Sequence, residues 1–193
     1  MPDLRFTEIE HKYVVDAHFD LRRFRDVLAN LRPTKTGAIR VRDRYYLTEG
    51  GRARRCLVRH RYDTEIHHLT IKALEDDTEV RTEINLDLGQ HAGNQDAHVD
   101  AFLDRLGVLW RGTLHKDLEV WDFPECEVVY YAASTDVRSV QCVEFEATRK
   151  DSLADALAIV ARFERATGFE GAVRSQLSLP QILFPELRDA LRL

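Results

Sequence analysis

Five stretches of this chain alternate charged and apolar residues with a period of two, and that pattern constrains the fold more than any other feature of the sequence. In TEIEHKYVV, Thr7 to Val15, a β-strand places Glu8, Glu10, Lys12 and Val14 on one face and Ile9, His11, Tyr13 and Val15 on the other. Glu79–Leu88 sets Arg81, Glu83, Asn85 and Asp87 against Val80, Thr82, Ile84, Leu86 and Leu88. In Val140–Thr148, Glu144 and Glu146 oppose Val143 and Phe145. Arg52–Tyr62 sets Arg55, Arg59 and Arg61 against Cys56, Val58 and Tyr62. Glu65–Leu74 sets Thr70 and Lys72 against Leu69, Ile71 and Ala73.

Further strands are expected over Ala38–Thr48, Thr113–Trp121 and Cys126–Ala133, with Glu49-Gly50-Gly51 as a turn and an acidic turn after Leu74. The short links between them predict antiparallel hairpins, and roughly eight strands suit a closed barrel. Helices are expected over Asp20–Leu31, capped by Asp20 with a stripe of Leu21, Phe24, Leu28 and Leu31, over Asp96–Leu106, and over Ser152–Thr167, closed by Gly168. A shorter amphipathic piece over Ser175–Arg192 is interrupted by Pro180 and Pro185. The fold class is therefore α+β, with residues 1–193 as one domain whose C-terminal helices occupy about 151–193.

Two architectures fit the alternation. A half-buried sandwich turns its polar face to water, and periodicity alone favours it. The composition of the polar faces pulls the other way, because they carry Glu, Arg and Lys where Thr and Ser are usual. If the strands close, the charged face becomes a lumen, which then needs a ligand, ions or water, since unpaired buried charge is costly.

The net charge of −5 argues against a generic nucleic-acid binder. Three scattered cysteines, Cys56, Cys126 and Cys142, support neither a disulfide framework nor a zinc site. The opening residues lack the apolar core of a signal peptide and no apolar run is long enough to span a membrane, so a cytoplasmic protein is the default expectation.

The order of charged motifs resembles the CYTH superfamily, the triphosphate tunnel metalloenzymes. Glu8-Ile9-Glu10-His11-Lys12 resembles its ExExK signature, Arg42-Asp43-Arg44-Tyr45-Tyr46 its D-x-Y-Y segment, and Leu57-Val58-Arg59-His60-Arg61 its paired-arginine strand. Leu69-Thr70-Ile71-Lys72, Arg81-Thr82-Glu83 and Glu144-Phe145-Glu146 resemble its L-T-x-K, R-x-E and late E-x-E strands, and Arg174-Ser175 the basic-Ser pair that opens its last helix. The resemblance implies an eight-stranded antiparallel tunnel with helices packed outside. It also implies divalent metal in the tunnel and a triphosphate substrate: inorganic triphosphate, thiamine triphosphate, an RNA 5′-triphosphate end, or ATP for cyclisation.

On that resemblance, Arg59, Arg61, Lys72, Arg81 and Lys116 would cradle phosphate oxygens, which arginine forks match bidentately. Glu8, Glu10, Glu144 and Glu146, then Glu83, would hold Mg²⁺ or Mn²⁺, which prefer oxygen ligands. Lys12, with Glu10, would act at the terminal phosphate or its attacking water. Asp43 is expected to orient tunnel arginines. His67 and His68 should point oppositely and share no metal. The expected partners are a small-molecule triphosphate or polyphosphate and a second copy of the chain in a homodimer, with no membrane and no nucleic acid.

The chain also departs from the family pattern. Asn85 stands where R-x-E-x-E would end in an acid, and Leu47 where a second Asp often follows D-x-Y-Y. His115-Lys116-Asp117-Leu118 offers one base where the family has a K-x-R pair. Four functions are weighed: a triphosphatase, a binder of polyphosphate or nucleotide without turnover, a class IV type adenylyl cyclase, and a structural domain whose charged face meets solvent.

Overall fold

A computed structural model describes residues 4–74 and 79–192. Its strands are β1 (Thr7–Val15), β2 (Lys35–Thr48), β3 (Cys56–Tyr62), β4 (His67–Ala73), β5 (Val80–Asp87), β6 (Val108–Asp122), β7 (Cys126–Ser134) and β8 (Ser139–Ala147). They close into an antiparallel barrel in the order β1-β5-β4-β3-β2-β6-β7-β8. Closure leaves no sandwich: the charged faces turn inward and the apolar faces turn out. The closing seam is short. β1 pairs with β5 only from Thr7↔Thr82 to Ile9↔Val80. Beyond it, the backbone N–H of Ser175 donates to the carbonyl of Lys12 at 2.7 Å.

Helices then bury the outward apolar stripes. α1 (Leu21–Asn30) and α4 (Leu153–Thr167) pack Phe24, Leu28, Val160 and Phe163 against Ile9, Tyr13, Val128, Val143 and Phe145. Asp20 caps α1, accepting from the N–H of Arg23, and Ser152 caps α4, accepting from that of Asp155. Gly168, at φ +86°, ends α4 in the left-handed conformation that glycine adopts without strain. α3 (Asp96–Asp104) lays Val99 and Leu103 over Tyr46, Val58 and Leu69. Part of the outer face of β4 and β5 stays uncovered, with Ile71, Ile84 and Leu86 exposed. No described helix is long and apolar enough to cross a membrane.

Three local expectations change. Glu49-Gly50-Gly51 is not a turn but the start of a short helix, α2 (Glu49–Ala53), capped by the Thr48 hydroxyl accepting from the Gly51 N–H. Strand β3 consequently begins at Cys56, after Arg55 in a left-handed conformation, so Arg55 does not share the inward face of Arg59 and Arg61. The prolines open helices rather than interrupt one: α5 (Leu179–Leu183) carries Pro180 in its first turn and α6 begins at Pro185 (Pro185–Ala190). Arg174-Ser175 precedes α5 instead of opening a helix. The acidic turn after Leu74 lies outside the described residues.

α5 and α6 do not pack on the barrel wall. Leu179, Leu183 and Leu187 pack against the inward-facing Leu47, Leu57, Leu114, Ala133 and Cys142 at one end of the lumen. One mouth is thereby stoppered by apolar side chains. Leu47 belongs to this stopper, which explains why an acid is missing at that position.

Candidate active site

Every residue expected at the site lines one cavity of about 280 Å³ inside the barrel: Glu8, Glu10, Lys12, Arg59, Arg61, Lys72, Arg81, Glu83, Lys116, Glu144 and Glu146. The period-two geometry of each strand delivers these side chains, and the register between strands pairs them. Glu8 lies opposite Arg81, Lys12 opposite Glu144, Lys72 opposite Glu83, and Asp43 opposite Arg61. These opposite-charge neighbours support one another across the ladder. Carboxyls meet at Glu146, which lies opposite Glu10 on one side and Glu127 on the other.

The ion pairs follow the register. Glu8 accepts from Arg81 Nε at 2.6 Å and from Lys72 Nζ at 3.0 Å. Arg81 Nη2 donates to Glu10 at 2.9 Å. Lys12 Nζ lies 3.1 Å from both Glu10 and Glu144. Lys72 and Arg59 hold Glu83 at 2.6 and 3.3 Å. Asp43, fully buried, accepts both forks of Arg61 at 2.7 Å and lies 3.0 Å from Lys116. The aspartate thus orients the cradle, as expected.

The five proposed metal carboxylates divide. Oxygens of Glu8, Glu10 and Glu146 all come within 4.8 Å of one another. Glu83 is occupied by Lys72 and Arg59, and Glu144 by Lys12 and the Tyr131 hydroxyl at 2.6 Å. Asn85 is turned to Thr70, whose hydroxyl donates to its side-chain oxygen at 2.7 Å.

Electrostatics separates the triplet further. Despite burial, Lys72 and Arg81 hold the Glu8 carboxyl well below its ordinary value. Burial and Glu144 push Glu10 up, and burial with Glu8 and Glu10 pushes Glu146 well up. Three converging carboxyls, two of them resisting ionisation, form an oxygen donor set bordered by Lys72, Arg81, Lys12 and Lys150. A hard divalent cation fits that set by donor type and by charge.

Other groups are tuned too. Although burial opposes it, Glu10 and Glu144 raise the pKa of Lys12, so this side chain remains an ammonium. Burial and the neighbouring Arg61 push Lys116 down to about 8. Buried Arg59 keeps an Nε–H without an acceptor among the described residues, a donor suited to an incoming oxyanion.

Several lining residues were not anticipated. Glu127, pushed up to about 7 by burial and Asp122, lines the cavity beside Tyr45, Ile66, His68 and Leu118. Tyr131 is fully buried against Glu144. Alternation along β7 groups Glu127, Val129, Tyr131 and Ala133 on one face, a signal that could have found both residues. His67 and His68 do diverge: His67 packs outside on His60, Nε2 to Nε2 at 3.2 Å, and His68 lines the lumen.

Solved structures share the fold. A Pyrococcus horikoshii protein superposes with a TM-score of 0.73 at 16% identity, over 91% of this chain and 99% of that one. A candidate adenylate cyclase of Bacillus halodurans gives 0.60 at 20% identity, over 92% and 97%. A candidate adenylyl cyclase of Hippeastrum, described as having a dominant triphosphatase activity, gives 0.50 at 16%, over 86% and 92%. No curated protein matches in sequence. The CYTH domain model matches residues 7–170, from the first strand of the barrel to just past α4, and the chain belongs to the CYTH family.

Proposed function

We propose that the tunnel binds a small triphosphate together with Mg²⁺ or Mn²⁺ and hydrolyses it. One observation carries the reading: the carboxyls of Glu8, Glu10 and Glu146 converge in the same cavity that Arg59, Arg61, Lys72, Arg81 and Lys116 line. A metal–triphosphate complex supplies a hard cation for the carboxyl oxygens and oxyanions for the cradle. Glu8, Glu10 and Glu146 would hold the metal, which when bound neutralises phosphoryl charge and acts as a Lewis acid.

The chain's own groups do the rest. Arg59, Arg61, Lys72, Arg81 and Lys116 bind and align the phosphates, and the stopper of α5 closes one end against water. Water attacks the terminal phosphorus as the bridging P–O bond breaks, the leaving oxygen takes up the electron pair beside these cations, and the water's proton passes to a phosphate oxygen. Lys12, fixed as an ammonium, serves as a charge at the terminal phosphate and not as a base. Hydrolysis is favoured over cyclisation because no lining group among the described residues reads as a base-and-ribose site. The description of the Hippeastrum protein points the same way.

The test is phosphate release from inorganic triphosphate by the wild-type protein with Mg²⁺ or Mn²⁺, and again with EDTA. Release with metal and none with EDTA is expected. Binding without release in either condition would leave a polyphosphate or nucleotide binder, the second reading.

A further inference from the structure

We propose that Tyr131 is a positioning residue of the tunnel: its hydroxyl fixes the carboxylate that orients Lys12, and its ring face holds the ammonium of Lys116. The inference rests on reading the tunnel as a triphosphate site. Tyr131 stands on β7 opposite Cys142 on β8, with no exposed surface. Its O–H donates to Glu144 Oε1 at 2.6 Å, and the same oxygen lies 3.1 Å from Lys12 Nζ. Lys116 Nζ sits 5.4 Å from the centroid of the ring. Lys12 comes from β1, Glu144 from β8 and Lys116 from β6, so a single side chain ties together groups from three other strands.

The two halves of Tyr131 do separate work. Burial, and then Glu144 beside it, hold the phenol well above its ordinary value, so the hydroxyl keeps its proton and donates. That donation and Lys12 pin one oxygen of Glu144 in place. Without the hydroxyl the carboxylate is free to rotate, and Lys12 loses the fixed partner that aims it at the terminal phosphate. The ring acts through its negative face, which favours a cation more strongly when water is excluded. Lys116, buried and beside Arg61, has more need of that support than an exposed lysine.

Two substitutions resolve the halves. Tyr131→Phe keeps the ring and removes the hydroxyl, while Tyr131→Leu removes both. Steady-state phosphate release from inorganic triphosphate with Mg²⁺, the melting temperature, and calorimetric binding of tripolyphosphate in EDTA are measured for both variants and the wild type. The Phe variant should fold and lose kcat by roughly ten- to hundredfold, the worth of a hydrogen bond to a charged group, with its KM little changed. The Leu variant should in addition bind tripolyphosphate about three- to tenfold more weakly. A tyrosine that only fills space would give a Phe variant with wild-type kcat. That result, in a working wild type, overturns the role of Tyr131 alone. A wild type that neither binds nor hydrolyses triphosphate overturns the triphosphate reading, and this role falls with it. If the Leu variant fails to fold, the Phe variant decides for the hydroxyl and Lys116→Met, tested by the same binding, decides for the ring contact: unchanged binding overturns that half.

Discussion

Replacing Glu10 by glutamine is expected to lower metal-dependent phosphate release by roughly a thousandfold while the protein stays folded. Glutamine keeps the shape and one carbonyl oxygen, so the change is chiefly in charge. The metal triplet loses an anionic oxygen, and the neutral amide is a poorer ligand for a hard cation. The fold tolerates the change because the neighbours have other partners: Lys12 keeps Glu144 at 3.1 Å, and Arg81 keeps Glu8 at 2.6 Å. The substitution also removes one carboxyl from a crowded group in which Glu10 and Glu146 are both pushed up. The melting temperature should therefore change little. Undiminished release in the variant would remove Glu10 from the chemistry. A large loss of stability would mean that its charge is structural.

Asp43→Ala is expected to do the opposite, unfolding the protein more readily and only then disabling the site. Asp43 has no exposed surface and holds Arg61 through both forks, with Lys116 at 3.0 Å. Alanine leaves two buried cations without their carboxylate, a loss of about 3–5 kcal/mol. For a chain of this length that corresponds to a fall in melting temperature of roughly 6–20 °C. Tripolyphosphate should recover part of the fall, since its oxyanions replace the missing charge. The acid dependence adds a second check. Arg61 and Lys116 hold Asp43 well below its usual value of 3.8 despite burial. Its contribution to stability is thus complete above that usual value and is lost as pH falls toward the lowered one. Asp43→Asn should flatten the acid limb of the stability curve. A variant as stable as wild type at neutral pH would show that the cradle does not depend on this aspartate.

Most of the site was legible because a strand sorts side chains by parity. Once Glu8, Glu10 and Lys12 shared a face, closure of the sheet had only to bring that face to Glu144 and Glu146, and the register of β1 with β8 does so. Parity does not say which way the face turns. The alternation in β1 or β5 serves a sandwich as well as a barrel, and the resemblance to the tunnel family decided between them. Parity is also silent on partners. Glu83 and Glu144 have the same side-chain chemistry as Glu10, yet of the three Glu10 alone converges with Glu8 and Glu146, which no local pattern records.

The stopper was missed for a related reason. Pro180 and Pro185 read as breaks in an amphipathic helix, but proline also suits a first helical turn, and two short helices result. Their leucines find the end of the lumen, where Leu47, Leu57 and Leu114 replace the charges of the middle. Gly50 and Gly51 suggested a turn, whereas the Thr48 cap makes the same segment helical. In each case the local signal allowed two structures and tertiary packing selected one.

The central claim is that the charged face is an enclosed site for a triphosphate with its metal. It is tested most directly by melting the wild-type protein with and without tripolyphosphate and Mg²⁺. A ligand bound only by the folded state stabilises it by roughly 2.7 kcal/mol at a hundred times its dissociation constant. At millimolar ligand the account predicts a rise of several degrees that tripolyphosphate and Mg²⁺ together make larger than either alone. An unchanged melting temperature under all three conditions would contradict it.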